Sequence, residues 1–476
     1  MRPTRREALA GAAAAAAMAA PTRTPGEERE LMTETAAGAS EALVPIFCAH
    51  EHWGSVASMG QESGTFRPDA RPGALPERRT TIIDLVVDPY FGGWLGAAGI
   101  NLDSCATAAG ARSWSELVQK SPAQAYQAIG REVGRQSLTG GFQCLRRGIQ
   151  LLYDVDLLHA DGRALAGLDR RIGRNYEALF DWYGRACRVM KVAEVLRPVH
   201  PIFYLLDDEE GRQRENPLIR SLLRIDPLLE MWATSHPIRD RLSAALGVDP
   251  AGPAEWREFL SRLMDRAAAR GAVGIKQLQA YRRPLAFSRH DDSSVRFRGA
   301  LSPAEATAFE DWMVHACCEL ADARGWPHQV HVGTHNLAQS SPLPLQELAT
   351  RYRRMSIVQL HCWPFLREAG WLAKHLPNVY IDTCWMPILN PDFLREALAG
   401  WVGYMPWHKI MCSQDATSVE MAAGSALFTR EALQEALGGR ASAAGLGATG
   451  ARVAIRAMLH DNAAALYGER KAGLAS

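Results

Sequence analysis

Short apolar runs recur along this chain, several of them ending in a side chain able to bind a metal or move a proton, and longer amphipathic stretches alternate with them. The run Val44-Pro-Ile-Phe-Cys-Ala49 leads into His50-Glu51-His52-Trp53 and reads as a buried strand with a His-x-His pair at its end. After a Gly/Ser/Pro-rich loop from Gly54 to Pro76, the apolar stretch Thr80-Thr-Ile-Ile-Asp-Leu-Val-Val-Asp88 predicts a second strand. Further strands are expected at Lys191–Leu196, Leu222–Asp226, Ala272–Lys276, Gln329–Val332, Ser356–His361, Asn378–Asp382 and Ile410–Ser413. Helical patterns at Ala254–Arg270, Pro303–Arg324 and Leu343–Arg354 separate several of them. Strands alternating with helices imply a parallel sheet, and about eight of them suggest a closed α/β barrel, the (β/α)8 or TIM-type fold.

The block from 113 to about 190 is helical and Arg-rich, and too long for a single strand-to-helix connection, so it is expected to be a helical insertion. Its aromatic residues Tyr176, Phe180, Trp182 and Tyr183 fall at helical spacing, which predicts packing. The barrel is expected over 44–468.

The N-terminus reads differently. Thr4-Arg5-Arg6-Glu7-Ala8-Leu9 is a twin-arginine pattern, followed by an Ala-rich run and small residues at Ala17-Met18-Ala19. Residues 1–19 therefore read as a twin-arginine signal peptide and 20–43 as a linker, with export to the periplasm as the expected location and the cytoplasm as the alternative. Three arginines and one glutamate lie in that segment, so its removal takes the formal charge from +1 to −1. With charge so balanced and no long basic run, neither a nucleic-acid footprint nor a polybasic membrane patch is expected. Nine scattered cysteines form no CxxC pair, which argues against a zinc ribbon or a redox motif. Gly445-Leu-Gly-Ala-Thr-Gly450 matches GxGxxG but follows a helical stretch rather than a strand, so it fails as a dinucleotide site.

The chemistry concentrates at strand ends. His50 and His52 share one face of their strand while Glu51 takes the other. Lys276 ends the Val-Gly-Ile strand, His331 lies in Gln-Val-His-Val, His361 ends Val-Gln-Leu-His, and Asp415 follows Ile-Met-Cys-Ser-Gln. Thirty residues separate His331 from His361, about one strand–helix unit, and 54 separate His361 from Asp415, about two. Barrels of this kind carry their chemistry at the C-terminal strand ends, so these residues would meet at one mouth. Any one of them alone would more often be structural; recurrence at the same place in successive units is what gives the pattern weight. His328 is an odd number of residues from His331 and would face the other way. His335, in the following loop, could enter the pocket. Trp53, Trp363 and Trp385 lie just beyond strand ends, where either a pocket wall or ordinary packing would suit them.

The order HxH, Lys, His, His, Asp resembles the amidohydrolase superfamily, and more narrowly its amidohydrolase-2 group. Supporting stretches are Gly274-Ile-Lys-Gln-Leu-Gln-Ala-Tyr-Arg-Arg283, Leu360-His-Cys-Trp-Pro-Phe365, Asn378-Val-Tyr-Ile-Asp382 and Leu459-His-Asp-Asn-Ala-Ala-Ala-Leu-Tyr467. The resemblance implies a single divalent ion, zinc first with manganese or iron as alternatives, on His50, His52, His331 and Asp415. Asp415 would also act as general base, and His361 as an acid/base group or second-face ligand. Lys276 is carboxylated in some relatives and an unmodified substrate contact in others; Lys276, Arg282, Arg283 and Trp53 are the expected substrate contacts. One departure is that Ser413-Gln414-Asp415 replaces the group's common Gly-Ser/Thr-Asp. The implied activity is metal-dependent hydrolysis of a C–N or ester bond in a small acidic substrate. A decarboxylase or isomerase on the same site, and a silent binding protein on the same barrel, are the alternatives. Homo-oligomerisation stays open.

Overall fold

A computed structural model describes residues 44–53, 80–87, 95, 98–205 and 219–468. The expected signal peptide and linker, most of the loop before residue 80, and the acidic run Asp207–Glu210 lie outside them.

Eight parallel strands form one sheet in sequence order. They are β1 (Ile46–Cys48), β2 (Val192–Val199), β3 (Ile219–Arg224), β4 (Ala272–Gln277), β5 (His328–Val332), β6 (Ile357–His361), β7 (Val379–Asp382) and β8 (Ile410–Met411). Neighbouring registers place Arg224 beside Lys276, and His331 beside Leu360. The sheet closes into the (β/α)8 barrel between β8 and β1, where the residues just after each strand make the bonds. Asp415 N–H donates to His50 O (3.1 Å), His52 N–H to Ala416 O (3.1 Å), and Ala49 N–H to Ser413 Oγ (2.7 Å). Inward-facing Phe47, Ala49, Leu196, Leu222, Val358, Leu360 and Met411 form a fully buried core with Ala463, Ala464 and Tyr467 of the C-terminal helix Asn462–Tyr467.

Thr80–Asp88 is not a strand. Residues Ile82–Val86 form helix α1, because Thr81 caps it: its side chain accepts from Asp84 N–H, and the Asp84 carboxylate takes the Thr81 N–H in return. Ile82, Ile83, Leu85 and Val86 are buried at helical, not alternating, spacing. The helices that follow before β2 include α2 (Gly140–Tyr153), α3 (Gly162–Glu177) and α4 (Leu179–Met190), where the insertion was expected. The helix α5 (Pro303–Arg324) begins with a Ser302/Glu305 capping box and ends at Gly325 in the left-handed conformation.

The insertion is fixed to the barrel through α6 (Val419–Ala443), the helix after β8, which Ser418 caps. Helices α2 and α6 meet at two glycines. A Cβ on Gly148 would lie 1.6 Å from Glu420 O, and one on Gly424 would lie 1.8 Å from Cys144 O. Beside this contact the buried Glu420 carboxylate accepts from Tyr153 OH (2.7 Å), Tyr176 OH (2.7 Å) and Trp182 Nε1–H (3.2 Å). The aromatic cluster is thus packing, as its spacing predicts. The GxGxxG stretch runs into the helix Gly447–Arg456, with no strand before it. Among the described residues no helix is long and apolar enough to cross a membrane.

The two-glycine contact leads to a prediction. Gly148→Ala should destabilise the protein by about 3 kcal/mol, because the helices must part. Gly134→Ala, where a Cβ meets nothing within 4 Å, should be neutral or stabilising by up to about 1 kcal/mol. Chemical-denaturation midpoints of the two variants check this.

Candidate metal centre

The seam between β8 and β1 builds the site. Beyond the end of β1 the chain bends at Ala49 and brings His50 and His52 to Asp415, while the Glu51 carboxylate accepts the Ala416 N–H (2.8 Å) and so holds the segment carrying Asp415. Asp415 (φ 58°), His361 (64°), Cys362 (66°), Trp385 (67°) and Thr334 (67°) all take left-handed backbone conformations. Such residues cost on the order of 1–3 kcal/mol each and persist only where packing over-determines them. Here they cluster at the barrel mouth.

The Asp415 carboxylate lies 3.2 Å from His52 Nε2 and 3.8 Å from His50 Nε2 through Oδ1, and 3.4 Å from His361 Nδ1 through Oδ2. All but His52 are buried. Burial, with the Lys276 charge adding, holds the His50 imidazole well below its ordinary pKa. Burial likewise pushes His361 down to about 4, with Asp415 opposing. Burial works to raise the Asp415 carboxyl, but the three surrounding imidazoles outweigh it and keep the group an anion. The result is two imidazole nitrogens and one carboxylate oxygen converging, a donor set suited to zinc or a similar divalent ion.

The surrounding residues favour that role. His50 Nδ1 is 2.7 Å from Gln329 Oε1, whose amide donates in turn to Ala49 O (2.7 Å) and Tyr467 OH (2.9 Å). With Nδ1–H spent on that acceptor, the Nε2 lone pair faces Asp415, and this buried atom has no hydrogen-bond partner. A ring held through one nitrogen with the other bare is what a ligating histidine needs. Beneath it, Asp382 accepts from Ser413 Oγ–H (2.6 Å), Ser413 N–H (3.0 Å) and Cys384 N–H (2.9 Å), fixing the turn into Asp415. The sequence reading passed over Gln329, although its parity with His331 puts it on the inner face.

The remaining candidates distribute unevenly. His331 stands one step back, with Nδ1 3.0 Å from His361 Nε2 and Nε2 2.9 Å from Thr334 Oγ1, outside the His50–His52–Asp415 group. Lys276 is fully buried, its Nζ has no hydrogen-bond partner, and burial lowers it to about 8. The two arginines pair with carboxylates outside the cluster. Arg283 spends its guanidinium on Glu310 (2.9 Å) and Asp311 (2.5 Å) of α5, and Arg282 pairs with Glu230. Each had an acidic neighbour that is distant in sequence. Arg224, beside Lys276 and paired with Asp226 (3.2 Å), is the arginine at an inward strand end, and the sequence reading missed it. Trp53 is buried against Tyr183 of α4, with ring centroids 4.8 Å apart. Trp363 stacks on Phe393 (4.2 Å). At the mouth itself Tyr281 lies 4.5 Å from both His331 and His335, and His335 stacks on Trp385 (5.0 Å). His328 faces outward to Cys318 of α5 (3.6 Å), as its parity requires.

A family model described as Amidohydrolase matches residues 228–468, just over half the chain. The chain belongs to the amidohydrolase family. The matched stretch carries Lys276, His331, His361 and Asp415; the HxH pair precedes it and joins the site by geometry. Over 273 residues the chain is 30% identical to Protein fluG of Emericella nidulans, covering 52% of this chain and 32% of that protein. The chain thus spans about a third of that relative's length. Uronate isomerase from Thermotoga maritima aligns with a TM-score of 0.66 at 14% identity, covering 89% of this chain and 94% of that one. Glucuronate isomerase from Caulobacter crescentus gives 0.66 at 14%, covering 90% and 92%. At these identities the likeness is one of fold. This amidohydrolase is a member of a metal-dependent enzyme superfamily with candidate ion ligands at its barrel mouth.

Two outcomes are expected. Gln329→Met, which removes the acceptor orienting His50, should weaken divalent-ion affinity by about 10–100-fold, measured by chelator competition. The second concerns acid. Burial pushes His200 to about 4, with Arg224 adding, and His328 to about 3, with Lys276 adding. A histidine whose folded pKa lies below its unfolded value binds fewer protons in the native state. Its stabilisation is complete above about pH 6.5 and is lost as pH falls towards the folded value. The unfolding midpoint of ion-free protein should therefore fall from about pH 6.5 to 4, and His328→Gln should flatten that slope.

Proposed function

We propose that this amidohydrolase hydrolyses a C–N or ester bond in a small carboxylate-bearing molecule, using one divalent ion, zinc before manganese or iron, held by His50, His52 and Asp415. The observation that carries the reading is the buried, partnerless His50 Nε2 directed at an anionic Asp415 with His52 alongside. A divalent ion bound there supplies Lewis acidity and lowers the pKa of a coordinated water.

The chain's own residues supply the rest. Asp415 is the one anionic group among the imidazoles, so it takes the proton lost by the attacking water at one of its oxygens. His361, neutral in this setting, would polarise the substrate carbonyl through Nδ1–H once that group leaves the Cys384 carbonyl oxygen (2.9 Å), rather than act as a standing cation. His331 holds the His361 ring through the bond between their nitrogens and stands in reserve as a further ligand. Lys276 offers a buried ammonium without a hydrogen-bond partner, and it would receive the substrate carboxylate. The acidic subsite proposed is thus Lys276, since Arg224, Arg282 and Arg283 are each already paired with a carboxylate. Tyr281, His335 and Trp385 would border the entrance.

The test has two parts. Wild-type protein should retain a divalent ion through desalting, and His50→Ala/His52→Ala should retain none; an ion-free wild type would favour a silent binding protein. Among small carboxylate-bearing amides and esters, turnover in oxygen-18 water should place one labelled oxygen in the new acid. Asp415→Asn should cut that turnover by about 100-fold or more. Carbon dioxide release, or an unlabelled isomer, would instead mark a decarboxylase or an isomerase.

A further inference from the structure

The two oxygens of Asp415 face different partners. Oδ1 faces His52 and His50, whereas Oδ2 faces His361 Nδ1 at 3.4 Å. The Cys384 sulfur lies at the same distance, 3.4 Å, from that nitrogen. Cys384 Sγ, His361 Nδ1 and an Asp415 oxygen lie within 4.8 Å of one another, and all three residues are buried. In a tetrahedral shell with bonds of about 2.0 Å to nitrogen or oxygen and about 2.3 Å to sulfur, neighbouring ligand atoms stand about 3.3 Å apart for N–O and about 3.5 Å for N–S. The two observed separations match those edges. The nitrogen–oxygen separation is longer than the roughly 2.7–2.9 Å of a charge-assisted N–H···O bond.

We propose that His361, Cys384 and Asp415 form a second cation subsite for a thiophilic divalent ion such as zinc, cobalt or cadmium, with Asp415 bridging it to the His50–His52 position. The sulfur selects the class of ion, since thiolates favour zinc and its softer relatives over magnesium or calcium. The subsite goes beyond the one-ion reading above and could be filled even if that reading failed.

The proton balance is explicit. Without an ion, His361 Nδ1 is 2.9 Å from the Cys384 carbonyl oxygen, which suits an Nδ1–H donor. Binding needs the other tautomer, with the proton on Nε2, where it donates to His331 Nδ1 at 3.0 Å. His331 then carries its own proton on Nε2, facing Thr334 Oγ1 at 2.9 Å. The Cys384 thiol gives up its proton to solvent as the sulfur–ion bond forms, since a bound ion deprotonates a coordinating thiol outright. An ion here would also occupy the nitrogen and the oxygen that hydrolysis needs, so filling the second subsite would silence the first.

Cobalt titration of the full chain, stripped of metal, tests the subsite. Two equivalents should bind, and a sulfur-to-cobalt charge-transfer band in the near ultraviolet should accompany one of them. Cys384→Ser should lose that band and one equivalent while keeping the other. His52→Ala should keep the band and lose the equivalent that lacks it; loss of neither equivalent would fault the one-ion reading and leave the subsite standing. Lys276→Met should keep both, whereas a pair of ions bridged by a carboxylated lysine would lose one. Absence of the band in wild type, or its survival in Cys384→Ser, would overturn the proposal. Should Cys384→Ser fail to fold, cadmium-113 NMR of the wild-type chain decides, through the presence or absence of a sulfur-ligated resonance.

Discussion

A buried carboxylate among imidazoles at the seam of a closed barrel is the constraint from which the rest follows. Burying the charge of Asp415 is costly unless partners compensate it. The fold supplies them by bonding the backbone of Asp415 and Ala416 to the segment that follows β1: Asp415 N–H to His50 O, and Ala416 to both His52 and Glu51. The same bonds that close the barrel therefore set the carboxylate against its histidines. Closure and site assembly are one event.

The supporting residues share that economy. Gln329 crosses the barrel interior to hold His50, and Tyr467 from the C-terminal helix holds Gln329. Asp382 and Ser413 fix the turn before Asp415. On the opposite side of the mouth the inward strand ends carry Arg224 and Lys276, so positive charge faces the carboxylate across the cavity. Left-handed backbone at His361, Trp385 and Asp415 places side chains where regular strand geometry would not reach. The insertion contributes no group to the ion site among the described residues, and it packs through glycine contacts and the Glu420 cluster.

Most of the barrel was legible because strands buried on both faces read as continuous apolar runs. The failure at Thr80–Asp88 has a local cause. Five apolar residues in a short run suit a strand or a helix equally, and the Thr81/Asp84 cap was the signal that decides. The histidines and Asp415 were legible from their place at strand ends. Which of them converge was not, because that depends on side-chain direction after the backbone leaves the strand. His361 and Asp415 meet through left-handed residues, while His331 turns to Thr334 and His361. The carboxylate partners of Arg282 and Arg283 were not legible, because Glu230, Glu310 and Asp311 are neighbours only in the fold. Cys384 was not marked out among nine scattered cysteines, since its nearness to His361 is set by the turn after β7.

Anomalous diffraction from crystals grown with zinc, recorded on both sides of the zinc edge, tests the central claim most directly. The account predicts a peak within bonding reach, about 2.0–2.2 Å, of His50 Nε2, His52 Nε2 and Asp415 Oδ1. A fully occupied zinc peak elsewhere in the barrel, with the Asp415 oxygens beyond bonding distance of any ion, would contradict it.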